Sequence, residues 1–309
     1  MKAKKPKFWD KNYITLYSIL LFPLSYLYQI ILFIKNFFTK KKKFPISIIC
    51  VGNIYLGGTG KTPISIKLRE MLNESFAPVV IKKNYKGHAD EIDLLKKYTK
   101  VIVSDTRTDG INAAIDRNFN LVILDDGYQE IGIKKDLNII CFNNEQKIGN
   151  GLTLPAGPLR ENLSSLKNCD IILINGKKIN EFEEKLKKYN NNLKFFYFNY
   201  YLKNFDNFKN KKLISFAGIG NPKNFFNLLK ANRLNVIREI SFPDHYNYSE
   251  KDLEKLIEME KKYNAKLITT EKDFLRISTF ERKRFSFLPI KVKIEQEDKF
   301  LEHIIKILK

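Results

Sequence analysis

Six consecutive residues, Gly57-Gly58-Thr59-Gly60-Lys61-Thr62, constrain this chain more than any other feature. A glycine-rich turn packs poorly by itself and must be carried by regular elements on both sides. The apolar, β-branched run 45–52 precedes it and reads as a buried parallel strand ending at Gly52. Residues 62–73 follow with the composition of a helix. Strand, glycine turn and helix together aim backbone N–H groups at an anion, because no Cβ keeps a phosphate oxygen away. Lys61 would then reach the terminal phosphates of a nucleoside triphosphate, and the Thr62 hydroxyl suits a hard divalent cation. The strict GxxxxGK[ST] pattern asks for glycine five residues before Gly60, where Tyr55 stands. On this departure alone, a chance glycine turn stays open as the other reading.

Strand-like runs recur at 78–81, 100–104, 120–125, 137–142 and 170–175, with helical stretches at 108–117 and 180–188 between some of them. Such alternation predicts a parallel sheet covered on both faces. The run 193–201 reads as a strand leaving this unit, and the lysine-rich stretch 204–212 as a linker. A second series follows: strand 213–217, helix 223–231, strand 236–240, helix 249–262 and strand 265–269. The expected fold class is α/β: a P-loop NTPase-like α/β/α domain over 39–204, a smaller α/β domain over 205–309, and a membrane-associated helix in 1–38.

Three further segments carry candidate chemistry. The apolar strand before Asp125-Asp126 ends in two carboxylates, and an acid at such a strand end holds Mg²⁺ beside a triphosphate in P-loop proteins. Thr62, Asp125 and Asp126 are therefore the expected metal side. The stiff loop Leu154-Pro155-Ala156-Gly157-Pro158-Leu159 presents Arg160 and Glu161. Arginine suits phosphate because its planar fork binds two oxygens, although a structural turn explains the loop equally well. His245 follows Pro243-Asp244 in a loop of the second series, either as a positioned imidazole or as a surface histidine.

Residues 12–34 hold no charge over 23 positions, long enough to cross a bilayer core of about 30 Å. Tyrosines, serines and Pro23 interrupt the run, and lysines flank it on both sides, including Lys2, Lys4 and Lys40–Lys43. Basic flanks on both sides give no orientation, and no small-residue cleavage site follows. The segment reads as a helix or broken helix in or on the cytoplasmic leaflet, with its lysines on lipid phosphates. Net charge is +21, which draws the chain toward nucleic acid, anionic lipid or a phosphorylated substrate without choosing among them. Abundant Lys with Asn, Ile and Phe also fits an AT-rich coding bias. Cys50, Cys141 and Cys169 each lie in an apolar run without metal-ligand spacing, which favours a reducing compartment. His88, His245 and His303 are too scattered along the sequence to suggest a metal cluster.

In chain order, Val51-Gly52-Asn53 through Thr62-Pro63, Leu124-Asp125-Asp126-Gly127-Tyr128-Gln129, 154–161, Phe216-Ala217-Gly218-Ile219-Gly220-Asn221-Pro222, 242–246 and Thr269-Thr270-Glu271-Lys272-Asp273 resemble the tetraacyldisaccharide 4′-kinase (lipid A 4′-kinase) family. The resemblance covers about 46–277, and the missing first glycine is usual in that family. It implies two α/β/α domains with the active site in the cleft between them. It further implies Mg²⁺-dependent transfer of the ATP γ-phosphate to the 4′-hydroxyl of a tetraacylated, 1-phosphorylated glucosamine disaccharide, at the cytoplasmic face of the bacterial inner membrane. The family's proposed base corresponds to Asp90, with Glu91 beside it, and its cleft histidine to His245. Arg107, Gln129, Arg160, Glu161 and Glu91 are expected on substrate or phosphate.

Departures are Lys82-Lys83-Asn84-Tyr85 for Ser-Arg-Gly-Tyr, Ala89 for Gly, and Glu130 for the usual His. The implied partners are the lipid disaccharide and an anionic membrane surface, with no nucleic acid and no obligate protein partner. A regulatory membrane-associated P-loop NTPase is the alternative. Thr270-Glu271-Lys272-Asp273 has its lysine one place late for guanine recognition, and no RNA-binding motif or DNA-reading helix supports a nucleic-acid module.

Overall fold

The computed structural model describes residues 5–85, 87, 89–278 and 281–309. His88 and the flanking Lys2 and Lys4 lie outside the described residues. In chain order the helices are α1 (Leu16–Phe38), α2 (Lys61–Leu72), α3 (Ala89–Tyr98), α4 (Arg107–Asp116), α5 (Asn180–Lys187), α6 (Pro222–Ala231), α7 (Glu250–Tyr263), α8 (Glu271–Arg276) and α9 (Glu297–Leu308). The strands are β1 (Ser47–Gly52), β2 (Pro78–Lys83), β3 (Val101–Ser104), β4 (Leu121–Asp125), β5 (Leu137–Asn143), β6 (Ile171–Asn175), β7 (Lys194–Leu202), β8 (Lys212–Ala217), β9 (Asn235–Ser241), β10 (Lys266–Thr270), β11 (Ser286–Leu288) and β12 (Ile290–Ile294).

Apolar strands with both faces covered make the larger sheet, ordered β12-β7-β6-β5-β1-β4-β2-β3. Its strands β1 to β7 run parallel; β12 joins the edge antiparallel to β7. Ile49, Val51, Ile64, Leu68, Ile123 and Ile139 form its fully buried centre. Because β1 lies between β4 and β5, the turn after Gly52 and the end of β4 emerge side by side, with Val51 opposite Asp125. The smaller sheet is parallel, ordered β11-β10-β8-β9, and Phe216, Leu253, Leu256 and Leu267 pack beneath it.

One expectation changes and another is narrowed. The second unit does not run from 205 to 309: β12 pairs with β7, and Val292, Ile294, Phe300 and Ile304 enter the core of the larger sheet. The aromatic-rich strand β7 would otherwise be left as an open edge, and β12 covers it. Strand β7 therefore stays in the first sheet rather than leaving it. The N-terminal segment, expected as a helix or broken helix, is one continuous helix with Pro23 inside it, capped by Thr15 accepting from Ser18 N.

Helix α1 is turned inside out relative to a core helix. Its buried positions are Ser18 and Ser25. Most of the large exposed apolar side chains among the described residues belong to 13–38, with Phe37 and Phe38 at 75% and 76% exposure. Its polar side holds the loop after β5. Ser25 Oγ donates to Thr153 O and accepts from Ala156 N, both at 2.9 Å. Tyr28 OH donates to Arg160 O at 2.8 Å, and Gln29 Nε2 to Thr153 Oγ1 at 3.0 Å.

Candidate active site

The glycine turn ends at Gly60, whose φ of 93° lies in the left-handed region. A Cβ there would also come within 2.5 Å of the Tyr200 hydroxyl, so both backbone and space require glycine. Asn53 braces the turn from below through Nδ2, which donates to Gly57 O at 3.2 Å and Thr59 Oγ1 at 2.9 Å. Tyr55, at the place of the missing glycine, is fully buried and its hydroxyl donates to Asp10. The position thus anchors the segment before α1.

Thr62 Oγ1 donates to Asp125 Oδ2 at 3.2 Å, and Ser65 Oγ to Asp125 Oδ1 at 2.9 Å. Asp126 stands in the left-handed region with φ 55°. Its carboxylate meets Lys61 Nζ at 3.5 Å and accepts from Arg160 Nη1 at 2.9 Å. Burial pushes the Asp126 carboxyl up, but Lys61, Arg160 and Lys82 outweigh it and hold the group well below the usual carboxylate range. Arg160 Nη1 also donates to Gln129 Oε1 at 3.1 Å, and Gln129 Nε2 donates to Glu161 Oε1 at 3.0 Å. Burial raises the Glu161 carboxyl, with Gln129 and Lys135 opposing.

The second sheet closes this site from the opposite side. Its loops after β8 and β9 and the start of α8 sit at the carboxyl ends of parallel strands, as a ligand crevice in an open α/β sheet requires. Gly220 packs so closely on the glycine turn that a Cβ would lie 2.6 Å from Gly58 N. His245 takes φ 54°, uncommon for a side-chain-bearing residue, and its N–H is held by Gly218 O at 3.0 Å. Asp273 Oδ1 fixes the same loop by accepting from Gly218 N at 2.9 Å and Tyr248 OH at 2.8 Å.

Asp90 opens α3 on the first-sheet side, and its partners come from the second. His245 Nδ1 lies 3.3 Å from Asp90 Oδ1, Arg276 Nη2 donates to Asp90 Oδ2, and Lys272 Nζ is 3.7 Å from Oδ2. Burial pushes the Asp90 carboxyl up, yet the His245 contact and the Lys272 and Arg276 charges hold it well below the usual range. One cavity of about 500 Å³ is lined by Gly57–Thr62, Glu91, Asp126, Arg160 and His245.

Of the expected residues, Gly57–Thr62, Glu91, Asp126, Arg160 and His245 line this cavity, whereas Asp90, Asp125, Gln129, Glu161 and Arg107 do not. Arg107 is buried and donates to the carbonyls of Asp125 and Asp126, with Glu130 3.5 Å from its other nitrogen. It braces the β4 turn from behind and does not line the cavity, which corrects its expected place on substrate phosphate. Ser65 and Arg276 were not singled out from sequence, and Lys82 and Lys272 were named only inside longer motifs, without a role in the site. A lysine closing the apolar run of β2 was the one visible sign. Among the described residues no group of three or more His, Cys, Asp or Glu is gathered for a metal ion.

Comparison with known proteins agrees with this architecture. The family model described as LpxK, tetraacyldisaccharide-1-P 4′-kinase, matches residues 17–309. A tetraacyldisaccharide 4′-kinase from Pelagibacter ubique is 41% identical over 314 residues, covering 99% of each chain. One from Rickettsia bellii is 33% identical over 324 residues, again covering 99% of each. The crystal structure of LpxK from Aquifex aeolicus in complex with ATP superposes with a TM-score of 0.72 at 27% identity, covering 94% of this chain and 99% of that one. A two-sheet cleft with its glycine turn, strand-end carboxylates and facing histidine, matched over nearly its whole length, makes this chain a member of the tetraacyldisaccharide-1-P 4′-kinase family.

Proposed function

We propose that this kinase transfers the γ-phosphate of ATP to the 4′-hydroxyl of a tetraacylated glucosamine disaccharide 1-phosphate, working on the cytoplasmic face of the bacterial inner membrane. One observation carries the reading: Lys61 and Thr62 line one wall of a cavity whose other wall carries His245, with Asp90 behind it. Phosphoryl transfer needs charge stabilisation on one side of the reacting phosphate and a hydroxyl held on the other.

Thr62 Oγ1 and the Asp125 carboxylate are hard oxygen donors beside the turn, a donor set that fits Mg²⁺. When bound, the ion would neutralise charge building on the phosphate oxygens. Lys61 and Arg160, both on Asp126 here, supply the protein's own positive charge at that end. Asp90 accepts the hydroxyl proton and His245 orients it.

The outward apolar face of α1 lies along the leaflet, and the lysines around it meet lipid phosphates. A helix whose polar side is hydrogen-bonded to its own domain is better suited to lying on the surface than to crossing it. Labelled ATP, Mg²⁺ and the lipid disaccharide provide the test. Phosphorylated lipid should form, and Lys61→Ala should abolish it. Hydrolysis of ATP that ignores the lipid would replace this reading with a regulatory NTPase.

A further inference from the structure

The register of β2 against β4 puts Lys82 directly opposite Asp125. The Lys82 side chain is 3% exposed, and a buried ammonium is tolerated only when paired. It has two carboxylate partners: Asp125 Oδ2 at 2.7 Å and Glu91 Oε2 at 2.6 Å. The other oxygen of Glu91, Oε1, accepts from Lys272 Nζ at 2.8 Å. Charges therefore alternate from the end of β4, through Lys82 and the first turn of α3, to α8 under the second sheet. Helices α3 and α8 pack on one another, and this chain of charges crosses their contact.

Neutralising Asp125 alone would not need Lys82 to reach Glu91. The bridging geometry has a further consequence. Asp125 and Glu91 both lie within 2.7 Å of one nitrogen, so without it the buried Asp125 carboxylate and the half-buried Glu91 carboxylate would face each other. Repulsion would then displace Glu91, and with it the turn carrying Asp90. We propose that Lys82 is a positioning residue that ties the carboxylate beside Thr62 to the α3–α8 clamp, so that Asp90 is held in place from the nucleotide side. The idea rests on reading Asp125 as the metal-side carboxylate of the proposed function.

The test uses the full chain carrying Lys82→Met, Lys272→Met and both together. Amide hydrogen exchange reads the clamp, calorimetry reads ATP affinity with and without Mg²⁺, and lipid phosphorylation reads kcat. Lys82→Met should speed exchange in α3 and α8 but not in α4. It should lower kcat at least tenfold and leave ATP affinity within about threefold of the parent. The double variant should lose less than the product of the single losses, as for residues in one network. Unchanged exchange in α3 and α8, a loss confined to ATP affinity, or fully multiplicative losses would each overturn the proposal. Should Lys82→Met not fold, Lys272→Met decides alone: faster α3 exchange with reduced kcat supports the clamp, and parental values refute it. Asp125→Asn separates the underlying reading, because parental Mg²⁺-dependent ATP binding there would remove the metal-side assignment without touching the exchange result.

Discussion

His245 Nδ1 and Asp90 Oδ1 meet at 3.3 Å, although 155 residues separate them and they belong to different sheets. A contact of this kind forms only when the loop after β9 is seated against α3. The proposed catalytic pair is therefore assembled only with the loop in that seat.

Replacing either member should remove base assistance and leave nucleotide binding largely intact. General-base catalysis is worth about 10²–10⁴ in rate. Asp90→Asn and His245→Ala should each lower kcat by that order, with ATP affinity nearly unchanged. Together they should cost less than the product, because members of one catalytic unit are not additive. An Asp90→Asn protein with full kcat and weakened ATP binding would move Asp90 into the nucleotide site.

The same ion pairs set the acid response. Asp90 and Asp126 are held below the usual carboxylate range, so in the folded protein they stay charged where the unfolded chain has begun to bind protons. Their contribution to stability is therefore complete above the unfolded value of about 4 and is lost as pH falls below it toward the folded values. Urea midpoints should be insensitive to these two groups from neutrality to about pH 5 and should fall below that. The Asp90→Asn protein should show a shallower acid slope. An equal slope in both proteins would mean that the pairs around Asp90 do not hold the sheets together.

Gly220 tests closure through a backbone contact, although a side chain there would also lie 3.3 Å from Asp244 Oδ2. A methyl at this position would lie 2.6 Å from the Gly58 backbone nitrogen, and neither backbone can yield cheaply. Gly220→Ala should hold the loop off the glycine turn, weaken ATP binding and lower kcat together, with little change in the unfolding midpoint. A shift in stability alone would place the glycine requirement in folding.

The local parts of this site were legible because each rests on a local rule. The glycine turn follows a β-branched strand, and Asp125 and Asp126 end another. His245 was a candidate from its local loop, but Asp90 and the pairing of the two came only through family resemblance, since nothing local says that a loop at 245 meets a helix at 90. The return of β12 and α9 to the first sheet was hidden for the same reason: strand pairing is a long-range choice. Lys82 was noted only as a departure from the family pattern, because a lysine at a strand end is usually solvated, and its burial follows from the β2–β4 register. Arg107 was misplaced because sequence does not tell which side of a turn an arginine braces.

Helix α1 has two faces, and they should be separable. Its outward side chains, such as Leu20 and Ile31 at 68% and 56% exposure, touch nothing in the domain that would explain their apolarity. Glutamates at both positions should weaken binding to anionic vesicles, as should deletion of residues 1–38. The glutamate variant should still phosphorylate detergent-dispersed lipid at near the parental rate. Binding that survives through other lysines should fade with salt over the range where the Debye length shrinks below about 10 Å. The inward face should behave in the opposite way. Ser25→Ala strands the Ala156 N–H in a buried seam, at about 1–3 kcal/mol for an unsatisfied group, while the Thr153 carbonyl keeps the Gly157 N–H at 2.9 Å. The loop it loosens continues to Arg160, whose carbonyl Tyr28 holds and whose guanidinium grips Asp126. Ser25→Ala and Tyr28→Phe should therefore lower kcat severalfold while vesicle binding stays intact. If both faces affect only vesicle binding, α1 is a tether; if the inward face moves kcat alone, the helix is a wall of the active site that also meets the membrane.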